Sequence, residues 1–335
     1  MQDRSHANHV ALEGRIPYRL LTDAKGRLKF KWLFTGGMRY TDPFFDESIS
    51  ACLSLPENAP EKMPVTGTEE LFDYAASIES VQPSCFIFHI SRCGSTLLSQ
   101  MLCEEESSVV LSEVPLLDDI LRLQLNPGIK PVEPIEKLFR SVLGILAQRK
   151  TSVEKHLVVK LDSWHILFYD QLRAWFADVP FFLMYRHPEE VINSHAKQPG
   201  MHTVPGILEA SLFGISNDAA CAMPVGAYLQ HVLTCYFQKY HEIIDGDKNA
   251  HLLNYHSGAD AMLASVIRTC NMEISDALLG TMHQRTAFHS KSPKAQYEGD
   301  SKALVEIALV PELKELFARL NLLKDKSIIS SLHES

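Results

Sequence analysis

Five short apolar runs constrain the fold more than any other feature of this sequence. They are Cys85 to Ile90 (CFIFHI), Val109 to Val114 (VVLSEV), His156 to Leu161 (HLVVKL), Pro180 to Arg186 (PFFLMYR) and His251 to His256 (HLLNYH). The more continuous of them lack the apolar–polar alternation of a half-exposed strand, so they read as strands covered on both faces. Between them lie segments with helical spacing. Residues 95–105 place Leu97, Leu98, Met101 and Leu102 on one face, and 134–150, 163–178, 188–197 and 225–245 follow. This alternation predicts an α/β fold with a doubly wound parallel sheet.

The flanks read differently. Residues 1–80 carry RLKFKWLF and the aromatic-rich TDPFFDESI, which predict a small strand-bearing N-terminal extension, with the Pro-rich LPENAPEKMP as a connector. Residues 81–335 form the second expected domain. Within it, 198–224 combine Gly, Pro and Met without periodicity, as in an insertion that shapes a substrate mouth. Residues 311–326 read as a closing amphipathic helix.

Composition narrows the function. The 335 residues hold 32 basic and 41 acidic side chains, a net charge of −9, which argues against a general nucleic-acid or anionic-membrane binder. The N-terminus MQDRSHANHVALEG has no apolar core for a signal peptide, and runs such as VPFFLMY are too short to span a bilayer. Seven scattered cysteines show no CxxC pair, the pattern of reduced residues in a cytoplasmic protein. There is no internal repeat or low-complexity tract.

The stretch FIFHISRCGSTLLSQML has the outline of a phosphate-binding loop: strand, Gly-containing turn, helix. It is not a Walker A loop, GxxxxGK[ST]. Aligned on Gly94, His89 stands at the first glycine and Ser95 at the lysine. The phosphatase pattern of Cys with Arg six residues on fails too, since Cys93 is followed by Ser99. An anion site remains. The amides of Gly94, Ser95, Thr96 and Leu97 would form the unpaired first turn of a helix, and the helix dipole adds positive charge. Arg92 supplies a full charge, and the Ser95 and Thr96 hydroxyls add donors. The same residues would also serve as ordinary helix caps, and this stretch by itself does not decide.

A second stretch, FFLMYRHPEEVINSH, places Arg186 at the carboxyl end of a buried strand, where it faces the ligand crevice of an open α/β sheet. Pro188 opens a helix that brings Ser194 back toward it, so the two can hold one further phosphate. The alternative is a surface pair of Arg186 with Glu189 or Glu190.

Together the two stretches resemble the sulfotransferase family. SRCGSTLL is similar to the family's loop for the 5′-phosphosulfate in its bacterial and Golgi-type form. YRHPEEVINS is similar to its R-[N/D/H]-P-x-x-V-x-x-S segment, which holds the 3′-phosphate of 3′-phosphoadenosine 5′-phosphosulfate. The resemblance covers residues 84–300 and implies a P-loop NTPase-like sulfotransferase fold. It makes Arg92, Cys93, Gly94, Ser95, Thr96, Leu97, Arg186 and Ser194 nucleotide-binding residues. It also implies that side-chain cations replace a metal, because a sulfuryl group carries less charge than a phosphoryl group.

The resemblance further implies a catalytic role for Glu113, at the end of the second strand in LSEVP, as base, and for Lys160, at the strand end in HLVVKL, as the cation on the bridging oxygen beside Arg92. Against these stand a carboxylate near a helix start for Glu113 and a snorkelling head for Lys160. His165, His195 and His202 are competing bases. In 281–302 the stretch TMHQRTAFHSKSPKAQYEGDSK holds Arg285, His289, Lys291 and Lys294. A late basic loop covers the 3′-phosphate in the family, which would assign Arg285 and Lys291; a solvated loop is the other reading. The expected reaction moves a sulfuryl group to a hydroxyl or amine of a small-molecule, carbohydrate, lipid or peptide acceptor. The rivals are a P-loop kinase or other nucleotide-dependent transferase, and a non-catalytic nucleotide-binding protein of the same fold.

Overall fold

The computed structural model describes residues 11–126, 128–129, 131–296 and 306–333. All five apolar runs form strands, and these make one parallel sheet. In chain order its strands are β4 (Pro83–His89), β5 (Ser108–Ser112), β6 (His156–Lys160), β7 (Phe181–Tyr185) and β8 (Ala250–Asn254), numbered after three N-terminal strands. The spatial order is β5-β6-β4-β7-β8, with β4 in the middle. Ser108 to Ser112 pair in register with His156 to Lys160, and Phe181 to Tyr185 with Ala250 to Asn254. All five residues of β7 are buried, as a strand covered on both faces requires. The expected doubly wound α/β architecture is present.

Boundaries moved where side chains interrupt the pattern. The last run ends at Asn254 because the Asn254 side chain accepts from the His256 amide at 2.9 Å and starts the single turn Tyr255–Ser257. The expected helix over 163–178 is split. Asp162 and His165 bond reciprocally around a 3₁₀ segment, Ser163–Phe168, and an α-helix follows at Tyr169–Trp175. The helix after the loop starts at Ser95 as expected but ends at Leu102, three residues short of the expected segment, and the helix after β7 is Pro188–Lys197, as the periodicity predicts.

The chain divides into two compact units. One contains residues 1–86, 96–161 and 270–295, the other 87–95, 162–269 and 296–335. In the first, β1 (Arg15–Thr22) and β2 (Leu28–Phe34) form an antiparallel hairpin that the short β3 (Val65–Thr66) extends. Trp32 is fully buried there, and its indole N–H donates to Thr66 Oγ1 at 2.8 Å. The Pro-rich stretch is two 3₁₀ turns pinned by Asn58, whose side chain accepts from the Phe34 amide and donates to the Phe34 and Cys52 carbonyls. In the second unit the helix Val225–Gly246 buries Tyr228, Tyr236, Phe237 and Tyr240. Among the described residues no helix is long and apolar enough to cross a membrane.

Candidate active site

The loop that leaves β4 belongs to the second unit, and its backbone is unusual. Ser91, Arg92 and Gly94 all take positive φ, at 68°, 51° and 84°. For Ser91 and Arg92 this left-handed conformation is costly and concentrates at ligand-binding turns. His89 Nδ1 accepts from the Ser91 amide at 3.0 Å and so fixes the start of the turn. Gly94 is required twice over. Besides its φ, a Cβ there would meet Tyr255 Cδ2 at 3.0 Å. Cys93 is fully buried and its thiol donates to the Met184 carbonyl at 3.5 Å, which makes it a packing residue of the loop.

Two arginines from distant positions join this loop. Arg92 Nη2 donates to the Gln198 carbonyl at 2.6 Å, just past the helix Pro188–Lys197. Arg186, leaving β7, donates through Nη1 to the Arg92 carbonyl at 3.3 Å and lies 4.1 Å from the Tyr255 ring centroid. It also forms a short ion pair with Glu190, whose other oxygen meets His256 Nε2 at 3.0 Å. The pairing weighed as a surface alternative therefore exists, but in a half-buried setting against the loop. Ser194 is half-buried on the same helix.

The first unit holds the other expected residues. Ser95, the last residue of the second unit's loop segment, opens the helix Ser95–Leu102, and Thr96 follows in the first unit; both are buried. Leu97 is half-buried. Lys160 is 0% exposed, so its ammonium does not snorkel. Its Nζ lies 2.5 Å from Glu113 Oε1 and 3.4 Å from Thr96 Oγ1. Glu113 adopts φ 54° immediately after β5, and its amide donates to the Lys160 carbonyl at 2.8 Å. The following helix, Pro115–Arg122, has Val114 at its N-cap with no side-chain cap bond, and the Glu113 carboxylate pairs with Lys160.

Arg285 donates to Gln100 Oε1 at 3.0 Å and lies 3.6 Å from Glu104, tied to the helix Ser95–Leu102. Lys291 lies with its Nζ 5.5 Å from the Phe44 ring centroid. The side chains of His289 and Lys294, and residues 297–302, lie outside the described residues. The three competing histidines are all buried in the second unit. His165 Nδ1 accepts from the Asp162 amide, His202 Nδ1 is 3.3 Å from Ser163 Oγ, and the His195 and His202 rings lie 5.1 Å apart.

Sequence reasoning missed Tyr255 and Phe44. Tyr255 was legible in principle, since it directly follows a strand's carboxyl end. Phe44 carried no signal beyond an aromatic cluster.

Set beside solved structures, the chain is similar to a sulfotransferase domain from the curacin biosynthetic pathway, at 16% identity and a TM-score of 0.47 over 72% of this chain and 99% of that one. It is similar to a sulfotransferase from Mycobacterium avium at 14% and 0.45, over 76% and 78%. It is also similar to a mouse sulfotransferase complexed with PAP at 13% and 0.37, over 68% and 73%. Six solved structures compared in this way are all sulfotransferases. No family model and no curated protein matches the sequence. Likenesses at this level concern the general fold and say nothing of donor or acceptor.

Proposed function

We propose that the protein is a sulfotransferase that moves a sulfuryl group from 3′-phosphoadenosine 5′-phosphosulfate to a hydroxyl or amine. The observation that carries this reading is the Lys160 ammonium, wholly buried between the Glu113 carboxylate and the Thr96 hydroxyl. A buried ammonium is expensive to keep, and one held beside a carboxylate at the start of a helix suits a reaction that develops charge there.

In the proposed reaction the acceptor oxygen or nitrogen attacks sulfur, and its proton passes to Glu113. The bond from sulfur to the bridging oxygen of the 5′-phosphate breaks, and 3′,5′-diphosphoadenosine leaves. Lys160 and Arg92 stabilise the charge gathering on the bridging oxygen. The amides of Gly94 to Leu97 and the Ser95 and Thr96 hydroxyls take the phosphosulfate, with Cys93 shaping the turn. Arg186 and Ser194 take the 3′-phosphate, and Arg285 is proposed to the same end. Geometry in the second unit adds Tyr255, whose ring already faces the Arg186 guanidinium.

A ligand panel tests the reading, followed by a screen of hydroxyl and amine compounds with labelled donor. Binding of 3′,5′-diphosphoadenosine without added metal, and label transfer, are the expected results. Preference for magnesium-ATP would instead favour a P-loop kinase, and nucleotide binding without turnover a binding protein.

A further inference from the structure

The Phe44 ring lies beside two ammonium groups, Lys160 Nζ at 5.0 Å and Lys291 Nζ at 5.5 Å from its centroid. The lysines come from β6 and from the turn between the short strands Phe288–His289 and Ser292–Gln296. An aromatic face attracts cations, and the ring gathers a second ammonium beside the Glu113–Lys160 pair, whose atoms lie 2.5 Å apart. Extra positive charge at that place suits a reaction that develops negative charge there.

The segment that carries Phe44 is firmly held. The Thr41 carbonyl accepts from Gln100 Nε2 at 2.9 Å, the Tyr40 carbonyl from the Cys103 thiol at 3.6 Å and the Met38 carbonyl from Lys150 Nζ at 2.5 Å. Arg39 donates to the Cys103 and Glu105 carbonyls, both at 3.0 Å. These bonds tie residues 38–41 to the helix Ser95–Leu102 and its end, so Phe44 is set in place by the same helix whose start carries Thr96. Two residues on, desolvation and then the Glu113 charge push the Asp46 carboxyl up, a second sign that this segment borders the Glu113–Lys160 pair.

We propose that Phe44 is a positioning residue of the transfer centre, holding Lys160 and Lys291 so that both ammonium groups face the group being transferred. The inference rests on the sulfotransferase reading and deepens it. Lys291 then acts on the sulfuryl oxygens, not as a cover over the 3′-phosphate, and residues before 80 complete the active site.

Two measurements on the full-length protein test it. In NMR spectra of the lysine ε-methylene groups, with Lys137 over Phe72 and Lys150 over Tyr40 as internal controls, Lys160 and Lys291 should show ring-current displacement from Phe44. Phe44→Leu should abolish it and Phe44→Tyr should retain it. Hydrolysis of the donor to 3′,5′-diphosphoadenosine and sulfate needs no identified acceptor. Phe44→Leu and Lys291→Met should each slow it by roughly 10- to 100-fold, with diphosphoadenosine affinity within about threefold and Phe44→Tyr restoring the rate. Unchanged lysine signals in Phe44→Leu would overturn the proposal. So would unchanged hydrolysis in both variants, or a Lys291→Met effect confined to affinity for the 3′-phosphate. A wild-type protein that neither binds nor cleaves the donor would fail the sulfotransferase reading itself, and the lysine signals would still judge the Phe44 contact separately.

Discussion

Glu113 Oε1 lies 2.5 Å from the ammonium of Lys160, and the two residues stand at the carboxyl ends of neighbouring parallel strands. The lysine is wholly buried, while the Glu113 side chain keeps 20% of its exposure. Glu113 reaches this position in a left-handed conformation, φ 54°, that a side chain adopts at a cost of about 1–2 kcal/mol. Strain at a residue that a backbone bond and an ion pair both hold is the pattern of a prearranged site.

The unequal burial of the pair predicts unequal costs. Glu113→Ala leaves a buried ammonium without its carboxylate and should destabilise the fold by about 3–5 kcal/mol. Lys160→Met should cost less, because water can reach the remaining carboxylate. Urea unfolding of both variants measures the difference. Equal losses would mean that Lys160 finds another counter-charge.

Glu113→Gln keeps the shape and a hydrogen-bonding oxygen but cannot accept the acceptor's proton. Sulfuryl transfer should fall by about two to four orders of magnitude. Titration calorimetry should show diphosphoadenosine affinity close to wild type. Full transfer activity would remove Glu113 from the mechanism.

Diphosphoadenosine should raise the melting temperature without added metal, and ATP far less. At a hundredfold excess over its dissociation constant the gain is about 2.7 kcal/mol, a shift of a few degrees in a chain of this size. Thermal-shift measurements with and without magnesium separate the two nucleotides.

Arg186→Ala should weaken binding of the 3′-phosphorylated nucleotide by about 2 kcal/mol, the worth of a charge-assisted contact. The analogue lacking that phosphate should be nearly unaffected. Because Arg186 also pairs with Glu190 and faces Tyr255, melting temperatures of the free variant must be compared first. Equal weakening of both ligands would show that Arg186 shapes the loop without reading the phosphate.

Gly94→Ala meets two obstacles, its φ of 84° and the Tyr255 ring 3.0 Å from the new Cβ. The variant should lose about 1–3 kcal/mol of stability together with nucleotide affinity. Adding Tyr255→Leu should recover the steric part and leave the conformational part, which a double-mutant comparison of unfolding free energies resolves.

What the sequence determined by itself was local. Continuous apolar runs specified the five strands, helical spacing specified the helices between them, and the order of SRCGST and YRHPEEVINS placed Arg92, Gly94 and Arg186 at strand ends. Each of these depends on neighbours within a few residues, so periodicity and turn chemistry suffice. The tertiary structure decided which distant side chains meet. Glu113 met Lys160, Arg92 found the carbonyl of Gln198, and Tyr255 took the space that Gly94 leaves open. Phe44 came to lie beside lysines more than a hundred residues away, at 160 and 291. Such contacts depend on strand order and on where each loop re-enters the core, and no local periodicity carries either. The buried Lys160 shows the physical reason: its ammonium tolerates complete burial only because Glu113, Thr96 and Phe44 arrive from three separate parts of the chain.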